Sequence, residues 1–367
     1  MRFVCSKNEL SEAISNVSRA VPQKSTTIQA LEGIKVSVSQ NRLELTGYNM
    51  EMGIRTSITA ASQDCGEFVA NTRLFNEFTR RMSGDEVIFE IDDNNVANIS
   101  SAATECSFSV MNADEYPDLP EVDRKNGFTV KLSVLRSMIN MTSYAASTNE
   151  SKPVFTGELF DIAEGKFNLV AIDGFRLAIR CEDTDTQDKI SFIVPKKALQ
   201  EVSTLIKDDA DSECTIYAND RHIIFDIGGT FVISRLLEGA FHNYKSSIPK
   251  DFKTEVIVDK REFINSMERC SLIIDDKNKS PIRCEIGSGV MKISSKTAIG
   301  KVNDAFTADI SGEAVTIGFN NKLMLEALKA AEGDKVRLRF SGAMKVIEML
   351  PLEGESYIFL IMPIQLR

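Results

Sequence analysis

Few side chains in this 367-residue sequence are placed to do covalent chemistry. It holds two histidines, His222 and His242, so a histidine-rich metal site is close to excluded. A Ser/His/Asp site would have to use one of those two. The seven cysteines, Cys5, Cys65, Cys106, Cys181, Cys214, Cys270 and Cys284, are odd in number and scattered, with no C-x-x-C pair. They suit neither a disulfide framework nor zinc, and read as reduced thiols in a cytoplasm. Adjacent carboxylates stand at Asp92-Asp93 and Asp275-Asp276, each followed by Asn or Lys. That is the pattern of a solvated loop rather than of an acid–base pair. No G-x-x-x-x-G-K-[ST] or G-x-G-x-x-G fingerprint occurs, and Gly287-Ser288-Gly289 is a turn-like fragment. The residue types point away from catalysis, metals and cofactors.

The elements that position any site come from an internal repeat. Phe3-x-Cys5 is followed by Leu10, Ile14 and Val17; Phe128-x-Val130 by Leu135, Ile139 and Thr142; Val256-x-Val258 by Phe263, Met267 and Cys270. Each is a short strand feeding an amphipathic helix, with Ser6, Ser133 and Asp259 near the helix starts as capping oxygens. A second strand–helix unit recurs at an offset of 125: Val69, Leu74 and Phe78; Val194, Leu199 and Ser203; Phe319, Met324 and Leu328. The same offset relates Phe108 to Ile233 and Tyr116 to Phe241. The alternative is three unrelated α+β domains, which six ordered matches disfavour. Each repeat is therefore a whole domain, with limits at 1–124, 125–250 and 251–367. Alternating runs such as Ile34–Val38, Leu43–Thr46, Val87–Ile91 and Val336–Phe340 add strands, predicting two helices and about eight strands per domain. The class is α+β with antiparallel sheets.

The composition, 43% apolar and 26% charged, gives ample core for such domains. No apolar run reaches the ~18 residues of a membrane span, and no secretory leader pattern opens the sequence, which predicts a cytoplasmic location. The net charge is −10, yet it is unevenly spread. Helices read at 7–20, 72–82, 133–145, 196–207, 260–271 and 321–331 sum to +7, leaving −17 elsewhere. Lys24, Lys152 and Lys279 recur after the first helix of each repeat. Lysine-rich helices are also ordinary solvated helices. A threefold basic set on an acidic body nevertheless suits a polyanion held by its phosphates without base reading.

Several segments are familiar. Leu169-Val170-Ala171-Ile172-Asp173-Gly174-Phe175-Arg176-Leu177-Ala178, Leu45-Thr46-Gly47-Tyr48-Asn49-Met50-Glu51-Met52, Ile193-Val194-Pro195-Lys196-Lys197 and the tail Ile361-Met362-Pro363-Ile364-Gln365-Leu366 resemble signatures of the bacterial sliding clamps. These are the β subunits of DNA polymerase III. The likeness spans the whole chain. It implies a head-to-tail homodimeric ring of six domains, with twelve helices lining a hole of about 28 Å around duplex DNA. It also implies a non-catalytic subunit that tethers a polymerase for processive synthesis.

The resemblance further implies residue roles. Lys24, Arg73, Arg80, Asn149, Lys152, Lys196 and Lys197 would touch DNA. Cys106 and Phe108 would meet Leu272 and Ile273 of a second copy; the family usually has a bulkier residue at Cys106. Phe155, Ile172, Gly174, Phe175, Arg176 and Leu177 would form a partner groove with His242, Met362, Pro363 and Ile364. The family often has His at Phe175 and Pro at His242, so the rim here differs. The groove would receive Gln-Leu-x-Leu-Phe-like motifs of the replicative polymerase, the clamp loader and repair polymerases. A peptide-binding scaffold that does not encircle DNA is the alternative.

Overall fold

Apolar spacing and capping oxygens decide where the helices start. The computed structural model describes residues 1–125, 127–186, 189–207, 212–274 and 280–366. Among these, six α-helices occur: α1 (Lys7–Ser18), α2 (Thr72–Arg81), α3 (Leu132–Thr142), α4 (Lys196–Leu205), α5 (Lys260–Ser271) and α6 (Asn321–Ala330). All six fall within two or three residues of the sequence reading. In α1 the Ser6 side chain accepts from the Glu9 N–H, and Leu10, Ala13, Ile14 and Val17 form the buried stripe. Asp259 caps α5 in the same way, accepting from Glu262 N–H at 2.8 Å. Ser133 differs, because α3 begins at Leu132 and so places it inside the first turn.

The three repeats hold eight, eight and nine described strands, the additional one being Asp309–Gly312 beside Thr254–Asp259. Pairing is antiparallel, in sheets of twelve, nine and four strands. The described residues gather into two compact units, Met1–Leu135 with Gln200–Leu236, and Arg136–Leu199 with Leu237–Arg367. The packing unit is thus not the repeat unit, because sheets run on from one repeat to the next. Within the first unit, Met52–Ser62 pairs with Thr230–Arg235 (Phe231 opposite Arg55). Within the second, Arg176–Asp183 pairs with Tyr357–Ile361 (Arg176 opposite Ile361).

Isolated bridges refine the repeat register. Val69 pairs with Met111, Ile193 with Leu237 and Phe319 with Pro363, so Val69 corresponds to Ile193 rather than to Val194. Ile193 and Val194 are both apolar, so hydrophobic matching alone does not separate them. Phe108 and Ile233 also part company. Phe108 lies 5.9 Å from the Phe78 ring of α2, whereas Ile233 clusters with Val122 and Ile224.

A turn recurs beside each continuing strand. The Asn49 carboxamide oxygen accepts from the N–H groups of Glu51 and Met52, and Asp173 Oδ1 accepts from those of Phe175 and Arg176. Met50 (φ 72°) and Gly174 (φ 93°) take the left-handed position between them. At the third equivalent, Thr297 N–H donates to the Gly300 carbonyl and Thr297 Oγ1 accepts from Ile299 N–H.

Candidate functional site

The Asp173–Leu177 turn holds four of the residues that the resemblance assigns to a partner groove. Gly174 takes the positive φ without the strain that Met50 bears at the equivalent position, and the tight turn leaves Phe175 67% exposed. Arg176 folds back beneath it. Its Nε donates to Asp173 Oδ2 at 2.9 Å, one terminal nitrogen to Glu326 of α6, and the other to the Tyr144 carbonyl at 2.5 Å. The guanidinium also sits 5.0 Å above the Tyr144 ring. With its side chain only 10% exposed, Arg176 ties the turn to Glu326 and Tyr144.

Beside the turn lies an apolar cluster of Leu159, Val170, Leu177, Ile179, Tyr244 and Leu360, with Ile172, Phe241 and Val346 packed against it. Leu177 is opposite both Ile172 and Leu360 in register. Met362, half exposed, is held by its N–H donating to the Phe175 carbonyl at 2.9 Å. Phe155 meets Phe241 edge-on at 6.1 Å, and the exposed His242 Nε2 shares a 3.0 Å hydrogen bond with Ser247 Oγ. The structure therefore gathers Phe155, Ile172, Phe175, Leu177, His242 and Met362 around one patch. Pro363 bridges to Phe319, and Ile364 lines a different groove, over the four-stranded sheet. Sequence reasoning missed Tyr144, Glu326, Tyr244, Val346 and Leu360. Their signal was only apolar or acidic character in helices and strands distant along the chain.

The DNA candidates occupy exposed or half-exposed positions in both units, each described in its own. In the first, Lys24 follows α1 and is exposed, as are Arg73 and Arg80 on α2. Arg80 and Arg81 share the Glu77 carboxylate at 3.1 and 2.7 Å. In the second, Asn149 Oδ1 accepts from Ser151 N–H, shaping the loop that exposes Lys152. Lys152 Nζ lies 5.7 Å from the Phe155 ring. Lys196 and Lys197 open α4, where the helix dipole disfavours cations, so helix stability is not what places them. Lys279 lies outside the described residues.

The contact candidates differ among themselves. The strand Thr104–Ser109 is a sheet edge, pairing with Val96–Ser101 alone among the described residues. Cys106 there is half-buried, and Phe108 is buried against Phe78 and Phe89 of its own chain. Phe108 is thus a core residue, and the strand offers its backbone edge. Leu272 is 80% exposed just past α5, and Ile273 is half-buried. Asp275, Asp276 and Lys277 lie outside the described residues.

Burial pushes the Cys5 thiol up to about 12 and Cys270 to about 11, away from nucleophilic thiolates. No cluster of three His, Cys, Asp or Glu side chains able to hold a metal occurs among the described residues. No helix there is long and apolar enough to cross a membrane.

Family models for the N-terminal, central and C-terminal domains of the DNA polymerase III beta subunit match residues 1–120, 129–243 and 245–365. The chain is 30% identical to the beta sliding clamp of Bacillus subtilis (strain 168), covering 100% of both. Against the beta sliding clamp of Staphylococcus aureus (strain MW2) it is also 30% identical, covering 100% of this chain and 99% of the relative. The crystal structure of the Bacillus subtilis DNA polymerase sliding clamp superposes with a TM-score of 0.96 at 30% identity over 100% of both chains. That of the beta subunit from the DNA polymerase of Streptococcus pyogenes gives 0.95 at 26% identity, again over 100% of both.

Proposed function

The chain belongs to the family of DNA polymerase III beta subunits, and from that premise we propose that two copies close head to tail around duplex DNA. It is a sliding clamp, a non-catalytic processivity factor. The repeat itself carries the closure argument. Twice within the chain, the strand after the Asn49 or Asp173 turn pairs with the last strand of the following repeat. The third such strand, Lys301–Thr307, and the first repeat's last strand, Thr104–Ser109, are both sheet edges among the described residues. A second copy supplies each edge with the partner that the other two junctions already have. Unpaired edges invite such an addition of strands, and a closed ring removes them. Leu272 and Ile273 add an apolar anchor beside that edge, and Cys106 lies on the facing strand.

Domains at 1–124, 125–250 and 251–367 then give six per ring. The basic residues Lys24, Arg73, Arg80, Asn149, Lys152, Lys196 and Lys197 hold phosphates weakly and exchangeably, so the ring slides. Topological linkage keeps it on the DNA, and a tethered polymerase rebinds at high effective concentration. The patch around Phe175, Leu177 and Met362 receives Gln-Leu-x-Leu-Phe-like segments of the polymerase, clamp loader and repair polymerases, with methionine adapting to each. The location is cytoplasmic, in keeping with seven free cysteines. Sedimentation tests the closure: a mass near twice the 40.7 kDa chain is expected, and a stable monomer at micromolar concentration refutes it.

A further inference from the structure

In the second repeat a carboxylate occupies a place that the first repeat fills with isoleucine. Gly33 and Gly157 each open a strand after a short 3-10 helix, Gln29–Glu32 and Pro153–Thr156. The residues that follow, Ile34 and Glu158, stand opposite Ala70 and Val194 in register, and neither side chain is exposed. The preceding helix changes with them: Val17 of α1 is matched by Thr142 of α3, both fully buried. Two apolar core positions of the first repeat are thus polar in the second, which core packing does not require.

Thr142 and Ser143 donate to the Glu158 carboxylate, one to each oxygen. The Thr142 hydroxyl also reaches the Met138 carbonyl at 2.8 Å. Lys196 of α4 bears on Glu158 by charge alone, and Val194 is its partner on the neighbouring strand. With Glu158 protonated, its hydroxyl donates to Thr142, Thr142 to Met138 and Ser143 to the second oxygen, so every proton has an acceptor. Ionised, the carboxylate has about four lone-pair sites for two hydroxyl donors, in a place closed to water. Water entering between α3 and the strand Gly157–Ala163 relieves that charge. Burial raises the carboxyl's pKa to about 7, so the change falls near neutrality.

The same segment supports the partner groove. Ser143 begins the short helix Ser143–Ala145, whose Tyr144 carbonyl accepts from Arg176 and whose Tyr144 ring lies 5.0 Å from the guanidinium. Phe155 stands three residues before Glu158, and its carbonyl accepts from the Ser147 N–H at 2.8 Å. Glu158 therefore joins the segment that braces the Asp173–Leu177 turn to the segment that carries Phe155.

We propose, resting on the reading of the Phe175 patch as a partner groove, that Thr142, Ser143 and Glu158 form a proton-operated latch for it. With Glu158 protonated the latch is closed, and Tyr144 braces Arg176. With Glu158 ionised the latch loosens, and partner segments bind more weakly.

The test uses the full chain and a Gln-Leu-Ser-Leu-Phe peptide with blocked ends, which carries no group titrating near neutrality. Its affinity, read by calorimetry, should fall about fivefold from pH 6 to 8 in the wild type and stay level in Glu158→Gln. Histidine side chains titrate in this range as well, and the Glu158→Gln chain keeps His242, so a level profile separates the two groups. Should Glu158→Gln not fold, Thr142→Val with Glu158→Ile, the residues of the first repeat, takes its place. A variant profile as steep as the wild type's, or a level wild-type profile, overturns the latch. Lys196→Gln should move the midpoint to higher pH, because it removes a charge that favours the carboxylate. An unmoved midpoint assigns the titration to another group and overturns the latch as well. Without peptide, amide exchange over residues 143–147, corrected for its intrinsic pH dependence, should quicken from pH 6 to 8 in the wild type alone. Unchanged protection overturns the latch whether or not peptide binds. Absence of peptide binding at every pH, with exchange changing as expected, overturns the groove reading instead.

Discussion

The Ile364 N–H donates to the Gly318 carbonyl at 2.7 Å, and a Cβ on Gly318 would stand 2.4 Å from the Ile364 carbonyl oxygen. Gly318 has no positive φ, so its own backbone would accept alanine; the tail would not. Gly318→Ala should therefore cost about 1–3 kcal/mol by overpacking. The cost should vanish in a chain lacking residues 363–367, and a double-mutant cycle by urea unfolding measures the difference. Equal costs in both backgrounds would mean that the tail does not require this glycine. Because Met362 precedes the tail, Gly318→Ala should also weaken binding of a Gln-Leu-x-Leu-Phe peptide, read by calorimetry.

Arg176 is held by Asp173, Glu326 and the Tyr144 carbonyl, a planar fork that an ammonium does not reproduce. Arg176→Lys should lose about 2–3 kcal/mol of stability. It should lower peptide affinity more than tenfold, because the fork holds the turn that presents Phe175. Wild-type affinity in the lysine variant would show that the turn holds without the fork.

Glu158 is fully buried, and burial raises its pKa to about 7 against the pull of hydrogen bonds from Ser143 and Thr142 and of the Lys196 charge. The Thr142 hydroxyl has one proton and two acceptors, the Met138 carbonyl and Glu158, so a protonated carboxyl resolves the competition. The folded pKa exceeds the unfolded one, so the unfolded state binds fewer protons between about pH 4.5 and 7. Stability should fall as pH rises through that window, by something on the order of 3 kcal/mol, and level off above it. Glu158→Gln should flatten the profile measured by urea unfolding from pH 5 to 8. A variant profile as steep as the wild type's would assign the dependence to another group.

Leu272, 80% exposed, and Ile273 sit at the end of α5 beside the edge strand Lys301–Thr307. Leu272→Ala with Ile273→Ala should give folded monomers, because the ring loses its apolar anchor at both interfaces. Sedimentation at nanomolar concentration decides, and a fully dimeric double mutant argues against this contact.

Lys24, Lys152 and Lys197 are exposed. Changing all three to glutamate should weaken retention on circular DNA equally for all sequences and make its salt dependence shallower. Retention as strong as the wild type's would move the DNA contacts elsewhere.

The sequence by itself determined what is local or periodic. Leu10, Ile14 and Val17 mark the buried side of α1, Asp259 caps α5, and the matched strand–helix pairs declare three like domains, because each depends on neighbours within a few residues. It also singled out Gly174, Phe175, Arg176 and Leu177, through the family resemblance, without showing the turn they make. Tertiary structure alone decided which distant groups meet. Ile193 and Val194 look alike until the Leu237 bridge selects one of them. Phe108 reads as a contact residue until Phe78 and Phe89 enclose it. Arg176 shows no partner in the sequence, and only the fold brings Tyr144 and Glu326 to its guanidinium. The reason is physical: a sheet register, a ring contact and an ion-pair partner are chosen by atoms from 19 to 150 residues away along the chain, and apolar spacing carries no record of them.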